Sequence, residues 1–241
     1  MSAQYRSTDE FRGATFRDRD LSGARIVSSV VDGLWIGGFD GSAGRIVVDD
    51  VDVSAYVSAE LDRRYPERIQ YRAAESLGDY RALWATLDEL WTSTVARAGR
   101  LTEQQRQERV DGEWSFVETL RHMVFGIDIW IGRMLNGEKM PWHPLGLAAT
   151  GNSPQSAARM GLDPDATPSF AEILKVYDGR RAMVAEAFAA ATDLAEPVAE
   201  PLPGAENESH TVGGCLEVVL HEHLQHRRYA ERDLARISEG G

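Results

Sequence analysis

The sequence predicts an α+β chain: a short segment that turns a corner every five residues, followed by a four-helix bundle. Three observations carry that expectation. Apolar residues recur at a strict interval of five from Phe11 to Ile36. From residue 77 onward the interval changes to the three-and-four spacing of helices. Two of the helical stretches open on a serine followed three residues later by an acid, which is a capping box.

Composition sets the outer bounds. The chain has 241 residues, 26 basic and 38 acidic, for a net charge of −12. Apolar residues make up 43% and charged residues 27%, which excludes collagen-like, low-complexity and largely disordered chains. A duplex-binding protein needs basic side chains to displace counterions. Here no basic stripe exists, so nucleic acid is not an expected partner. The acidic surplus is spread along the chain, with 10 acids against 6 bases in the first sixty residues. A polyanion that mimics DNA would be more lopsided. Cys215 is the only cysteine, so neither an internal disulfide nor a cysteine-rich zinc site is available. The start, MSAQYRSTDEFRG, lacks an apolar signal core, and no apolar run approaches the roughly 18 residues of a membrane span. A cytoplasmic protein with no membrane partner is expected.

The first segment covers residues 1–58. Phe11, Phe16, Leu21, Ile26, Val31 and Ile36 are apolar every fifth place, and the phase returns at Ile46 and Val51 after a break at Gly41. An interval of five suits neither a helix nor a flat strand. It suits a square coil with one central residue per side. Ala14, Ala24 and Ser29 are small enough to share its interior. Frequent glycines suit the corners. The run FRGAT-FRDRD-LSGAR-IVSSV-VDGLW resembles the pentapeptide-repeat family over residues 9–52. The resemblance implies a right-handed β-helix of about two coils, serving as a platform, a pocket wall or the surface of a homodimer.

Residues 59–76 read as the end of a short helix and a connector. SAYVSAELDRRY (54–65) is helical in pattern, Pro66 stops it, and the chain is polar from there to Ser76.

The bundle covers residues 77–241. Its first helix carries Tyr80, Leu83, Trp84, Leu87, Trp91 and Val95, with Ser76 and Asp79 as its capping box. The second begins at Ser115 with Glu118, continues through Phe116, Leu120, Met123, Val124, Ile127, Ile131 and Met134, and ends at Gly137. The third follows Pro168 and carries Phe170, Ile173, Leu174, Tyr177, Val184 and Phe188. Pro197, Pro201 and Pro203 mark the loop behind it. The fourth runs from about Thr211 to Ile237. The long loops 137–168 and 193–210 are placed to cover one end of the bundle.

The fourth helix breaks its own pattern. Its buried face starts with Cys215, Leu216, Val219 and Leu220 and finishes with Ala230, Leu234 and Ile237, but its middle holds Glu222, His223 and His226. Unpartnered, such groups would cost several kcal/mol to bury. A divalent metal would match them. Glu222 and His226 are one turn apart, and His223 with His226 is also feasible. HEHLQH lacks the second histidine of the metalloprotease HExxH, because its fifth residue is Gln225. A third ligand must come from elsewhere, with His122, His143 and His210 as candidates. His122 lies at the edge of its stripe, so periodicity does not select it; Gly126 leaves room beside it.

GEWSFVETLRHMVFGIDIW, followed about a hundred residues later by VVLHEHLQHRRYAERDL, resembles the DinB superfamily over residues 77–238. The resemblance is closest to the branch that includes mycothiol-dependent maleylpyruvate isomerase. It implies a four-helix bundle with a divalent metal at one end. The implied ligands are His122 together with Glu222 and His226, since that branch uses Glu-x-x-x-His in its last helix. His223 then flanks the site.

Two imidazoles and a carboxylate leave a coordination position open, which points to chemistry rather than structure. A free thiol is only ~3% ionised at pH 7, and a metal would hold it as thiolate. The expected activity is therefore a metal-dependent thiol S-transferase or thiol-dependent isomerase. Its cosubstrate would be a low-molecular-weight thiol such as mycothiol, its partner an electrophilic small molecule, and its metal zinc first, with nickel and iron as alternatives. Cys215 lies in an apolar stretch and reads as a core thiol. His143 in the PWHPLG loop, Arg227 and His223 are candidate substrate contacts. Arg121 and Arg133 are weaker ones, and no residue is assigned as general base. Two other functions fit the same residues: non-haem iron oxygenase chemistry at the His/His/Glu site, and a non-enzymatic interaction protein built on the repeats.

Overall fold

The computed structural model describes residues 5, 8–17, 19–38, 44–149, 152–198, 200 and 209–239. The expected break at Gly41 and the loop residues Pro201 and Pro203 lie outside them. The chain divides into two units, residues 1–55 and 56–241.

In the first unit the hydrogen-bonded turns recur every ten residues, at every second step of the five-residue interval. Ala14, Ala24 and Leu34 each donate a backbone N–H to the carbonyl three residues back, on Phe11, Leu21 and Val31. The third residues of these turns are Gly13, Gly23 and Gly33, with φ of 69°, 74° and 72°. Glycine takes that left-handed backbone without strain. The turns do not add up to the expected β-helix. Among the described residues no strand precedes β1 (Val47–Val48), which pairs antiparallel with β2 (Val51–Asp52). The central residues from Phe11 to Ile36 stay 41% to 61% exposed. About two coils have too few neighbours above and below to enclose an interior.

The second unit is helical. α1 (Ser54–Arg64) stops before Pro66 as expected. The polar stretch behind it is more than a connector, because Glu67–Ala73 form α2. Seven residues are too few to display a helical period, and α2 is held by individual side chains. Glu67 is buried and accepts from Arg227 at 2.7 Å, and the Tyr71 ring lies 5.7 Å from that of His221. Beyond it come α3 (Leu77–Ala98), the short α4 (Glu103–Arg106), α5 (Phe116–Ile127), the short α6 (Pro154–Arg159), α7 (Phe170–Ala190) and α8 (Val212–Glu239). The capping boxes at Ser76 and Ser115 form, and so do two more at Thr102 and Ser169.

The four long helices bury one core. Leu83, Leu87 and Trp91 of α3 meet Leu120 and Val124 of α5, Ile173 and Tyr177 of α7, and Leu216 and Leu220 of α8. Polar ties fix the register. Trp91 Nε1 donates to the His223 carbonyl at 3.0 Å, and Arg181 of α7 donates to Asp88 of α3. Among the described residues no helix is long and apolar enough to cross a membrane.

α5 does not end at Ile127. It continues as a π-helical segment, Asp128–Arg133. A π turn holds one more residue than an α turn, so it shifts the phase of everything after it. Here it turns Asp128 inward together with Ile131, and both are wholly buried. Asp128 accepts from the His143 backbone N–H at 2.7 Å and from Arg180 of α7. The loop carrying His143 is thereby fastened to the bundle. Gly132 allows the close approach, because a Cβ there would sit 2.7 Å from Pro141 Cβ. Neither the proline ring nor the helix can yield cheaply. Gly132→Ala is expected to lower stability by about 1–3 kcal/mol, as overpacking does. Urea unfolding measures this, and an unchanged midpoint would show that the loop gives way.

Candidate metal centre

α5 and α8 bring His122, Glu222 and His226 together. One ligand atom from each lies within 4.8 Å of the others. Glu222 Oε2 is 3.4 Å from His122 Nε2 and 3.0 Å from His226 Nε2. At such distances a proton or a cation has to sit between the carboxylate and each ring nitrogen. The pair on α8 is vertical, one turn apart, while His122 faces it from α5.

The tautomer of His122 follows from its other nitrogen. Nδ1 is 3.0 Å from the Leu147 carbonyl, which can only accept, so Nδ1 carries the hydrogen. Nε2 is the nitrogen turned toward Glu222. This is the outer-shell arrangement that orients ligating histidines. The Leu147 carbonyl is itself held. Leu147 N–H donates to the Arg121 carbonyl, and the buried Arg121 guanidinium donates to the carbonyls of Leu145, Asp163 and Ala166. Arg121 and His122, adjacent in sequence, thus pin the same loop to α5.

Electrostatics suit a cation. Burial alone would raise the Glu222 carboxyl, but the hydrogen bonds and charges of His122 and His226 outweigh it and hold the group well below the carboxylate range. Burial lowers His226. An ionised carboxylate beside two imidazoles, which would turn lone pairs to a cation in place of those protons, is the donor set that zinc, nickel and iron accept. The residues therefore fit a divalent metal. The Trp114 ring covers one side, 4.5 Å from the His122 ring and 6.0 Å from that of His226.

A pocket opens beside the trio. Glu222, His122 and His223 contribute its polar wall, and Met123, Ile127, Trp130 and Val219 its apolar one. Gly126 widens it, since a Cβ there would meet nothing within 4 Å.

The other candidates lie elsewhere. His143 and His210 are outside the trio. His143 Nδ1 accepts the Leu145 N–H at 3.1 Å, and burial lowers its pKa. The His210 ring is 6.1 Å from Trp130. Arg227 is not in the pocket wall, because its guanidinium pairs with Glu67. Arg133 pairs with Glu200 at 3.4 Å. Cys215 is buried, and burial pushes its thiol up to about 12. His223 turns Nδ1 to the Val219 carbonyl at 2.7 Å, and burial pushes its pKa down to about 4.

Sequence reasoning missed Trp114, the loop-holding role of Arg121, and Asp128. The Trp114 signal is its place directly before the capping Ser115. The Asp128 signal is a lone acid between Ile127 and Ile131 in an apolar stripe.

Two measurements probe this scaffold. Arg121→Met keeps the side-chain volume but releases three loop carbonyls, so metal affinity should fall about 10–100-fold, the usual effect of an outer-shell change. Competition with a chromogenic chelator reads it, and unchanged affinity would show that Leu147 stays in place without Arg121. The second concerns Asp128, whose carboxyl burial pushes up to about 6 against the pull of the His143 N–H and Arg180. Between about pH 4 and 6 the native state then binds more protons than the unfolded state, so stability from this group falls as pH rises. The stability of wild type relative to Asp128→Asn should decline across that window in thermal unfolding. A flat or rising difference would contradict it.

No curated protein and no solved structure matches the chain. The family model of the DinB superfamily matches residues 86–230, which span the bundle from α3 to α8 and include His122, Glu222 and His226, and the chain belongs to that superfamily.

Proposed function

We propose that the protein is a metal-dependent thiol S-transferase, or an isomerase that works through thiol addition. The observation that carries this reading is the convergence of His122, Glu222 and His226 beside a pocket with a largely apolar wall. A divalent cation held there, zinc first and nickel or iron as alternatives, would supply the Lewis acidity that keeps a thiol ionised at neutral pH. The thiol is a small cosubstrate such as mycothiol, a choice supported by Glu222 in the Glu-x-x-x-His pair. Cys215 is unsuited to be the nucleophile, because its burial keeps it protonated.

The chain's own residues do the positioning. His122, Glu222 and His226 bind. Leu147 and Arg121 orient the His122 ring. Met123, Ile127 and Val219 exclude water from the inner wall, and Trp114 shields the outer faces of both imidazoles. His223 is the substrate contact in the wall. Arg227 and His143 would act from behind it, by holding α2 and the 141–148 loop. We place the reaction in the cytoplasm, with a small thiol and an electrophile as partners. For residues 9–52 we keep the reading of a repeat coil, supported by the turns at Gly13, Gly23 and Gly33.

The test is metal content and thiol conjugation to a model electrophile, for wild type and His226→Ala. Wild type should hold metal and lose turnover on chelation. The variant should lose more than the roughly 10–100-fold typical of outer-shell changes, in both readouts. Full metal occupancy in the variant, or turnover that survives chelation, would overturn the proposal.

A further inference from the structure

His223, one of the residues that line the pocket, carries a buried ring nitrogen without a hydrogen-bond partner. His223 is 1% exposed. Its Nδ1 lies 2.7 Å from the Val219 carbonyl, an acceptor, so Nδ1 carries the hydrogen. Nε2 is then a bare acceptor, buried and without a partner. The ring is enclosed by aromatic side chains. It is edge-on to Trp84 at 5.0 Å and stacked on Tyr177 at 6.3 Å, and its own backbone carbonyl is held by Trp91. Buried polar groups are nearly always satisfied, and an exception in a native fold calls for an explanation. The pocket that His223 lines together with His122 and Glu222 has room for about one water-sized group.

We propose that His223 Nε2 accepts a hydrogen bond from a hydroxyl or N–H group of the small molecule bound at the trio, and so selects ligands that carry such a donor close to their metal-facing atom. The inference rests on the reading of the trio as a metal and thiol site, and it names a feature of the thiol. A carboxylate at that point would set one acceptor against another and be rejected. An alkyl group would leave Nε2 unsatisfied. A hydroxyl-sized donor both fits the space and completes the imidazole. His223 is thus a positioning residue, distinct from the ligands on either side of it in α8.

Calorimetric titration of the zinc-loaded protein tests this with three thiols of similar reach: 2-mercaptoethanol, propane-1-thiol and mercaptoacetate. The hydroxyl thiol should bind more tightly than either of the others, by roughly tenfold, the worth of one buried hydrogen bond. His223→Phe keeps an aromatic ring among Trp84, Trp91 and Tyr177 but removes the acceptor. It should abolish the preference while metal content stays unchanged, and His223→Gln, which restores an acceptor, should recover part of it. If His223→Phe does not fold, the ranking in wild type still decides. Thiols that bind without regard to the hydroxyl would overturn the assignment of His223 and leave the proposed function standing. Failure of all three to bind would overturn both.

Discussion

The second unit is organised around one constraint: a half-buried carboxylate set between two imidazoles on a core-facing helix. Leu216, Leu220 and Leu224 of the same helix lie in the apolar core, and Glu222 stands beside them. A carboxylate partly withdrawn from water needs partners for its charge. Its presence is tolerable because His122 and His226 stand 3.4 Å and 3.0 Å away. Those distances tie α5 to α8 more specifically than apolar packing could. Apolar contacts allow small slips, whereas a shared proton or cation does not.

Around that constraint the chain spends its irregular structure on holding α5 steady. The π-helical segment after Ile127 rotates Asp128 into the core, where it fastens the loop through His143 and α7 through Arg180. The same loop returns to α5 one turn earlier, where Leu147 orients His122 and Arg121 gathers three carbonyls. A connection of thirty-odd residues would ordinarily add freedom next to a site. Here it is closed at both ends by buried charged groups, so the ring of His122 is held from behind.

Much of this was legible in the sequence because it is periodic or locally capped. The four long helices follow from apolar spacing and from serine–acid pairs. The conflict between Glu222, His223 and His226 and the stripe they interrupt shows where the site is. What stayed hidden depends on contacts without a period. Periodicity left His122 level with His143 and His210, because the choice is made by which loop carbonyl reaches which ring. Arg121 and Arg227 look like solvent-facing cations in a helical wheel, yet each is buried against a distant partner. α2 is too short to show a pattern. The five-residue interval meets the first unit's hydrogen-bonded turns only at every second step, and spacing cannot say whether enough coils exist to shelter the central side chains.

The division of labour among the helices bears on specificity. The ligand trio comes from α5 and α8 alone. Trp84 and Trp91 of α3 and Tyr177 of α7 contribute no ligand, but they pack around His223 and fix its orientation. Binding and selection therefore rest on different helices. A substitution on α3 or α7 could alter which molecule is preferred while leaving the trio intact, because it would act through the ring of His223 and not through Glu222. The converse does not hold. A change at His122 or His226 removes one of the two rings that hold Glu222 and so acts on the trio directly. The trio thus carries the binding, and the core aromatic residues act on the site only through the ring of His223 that they hold.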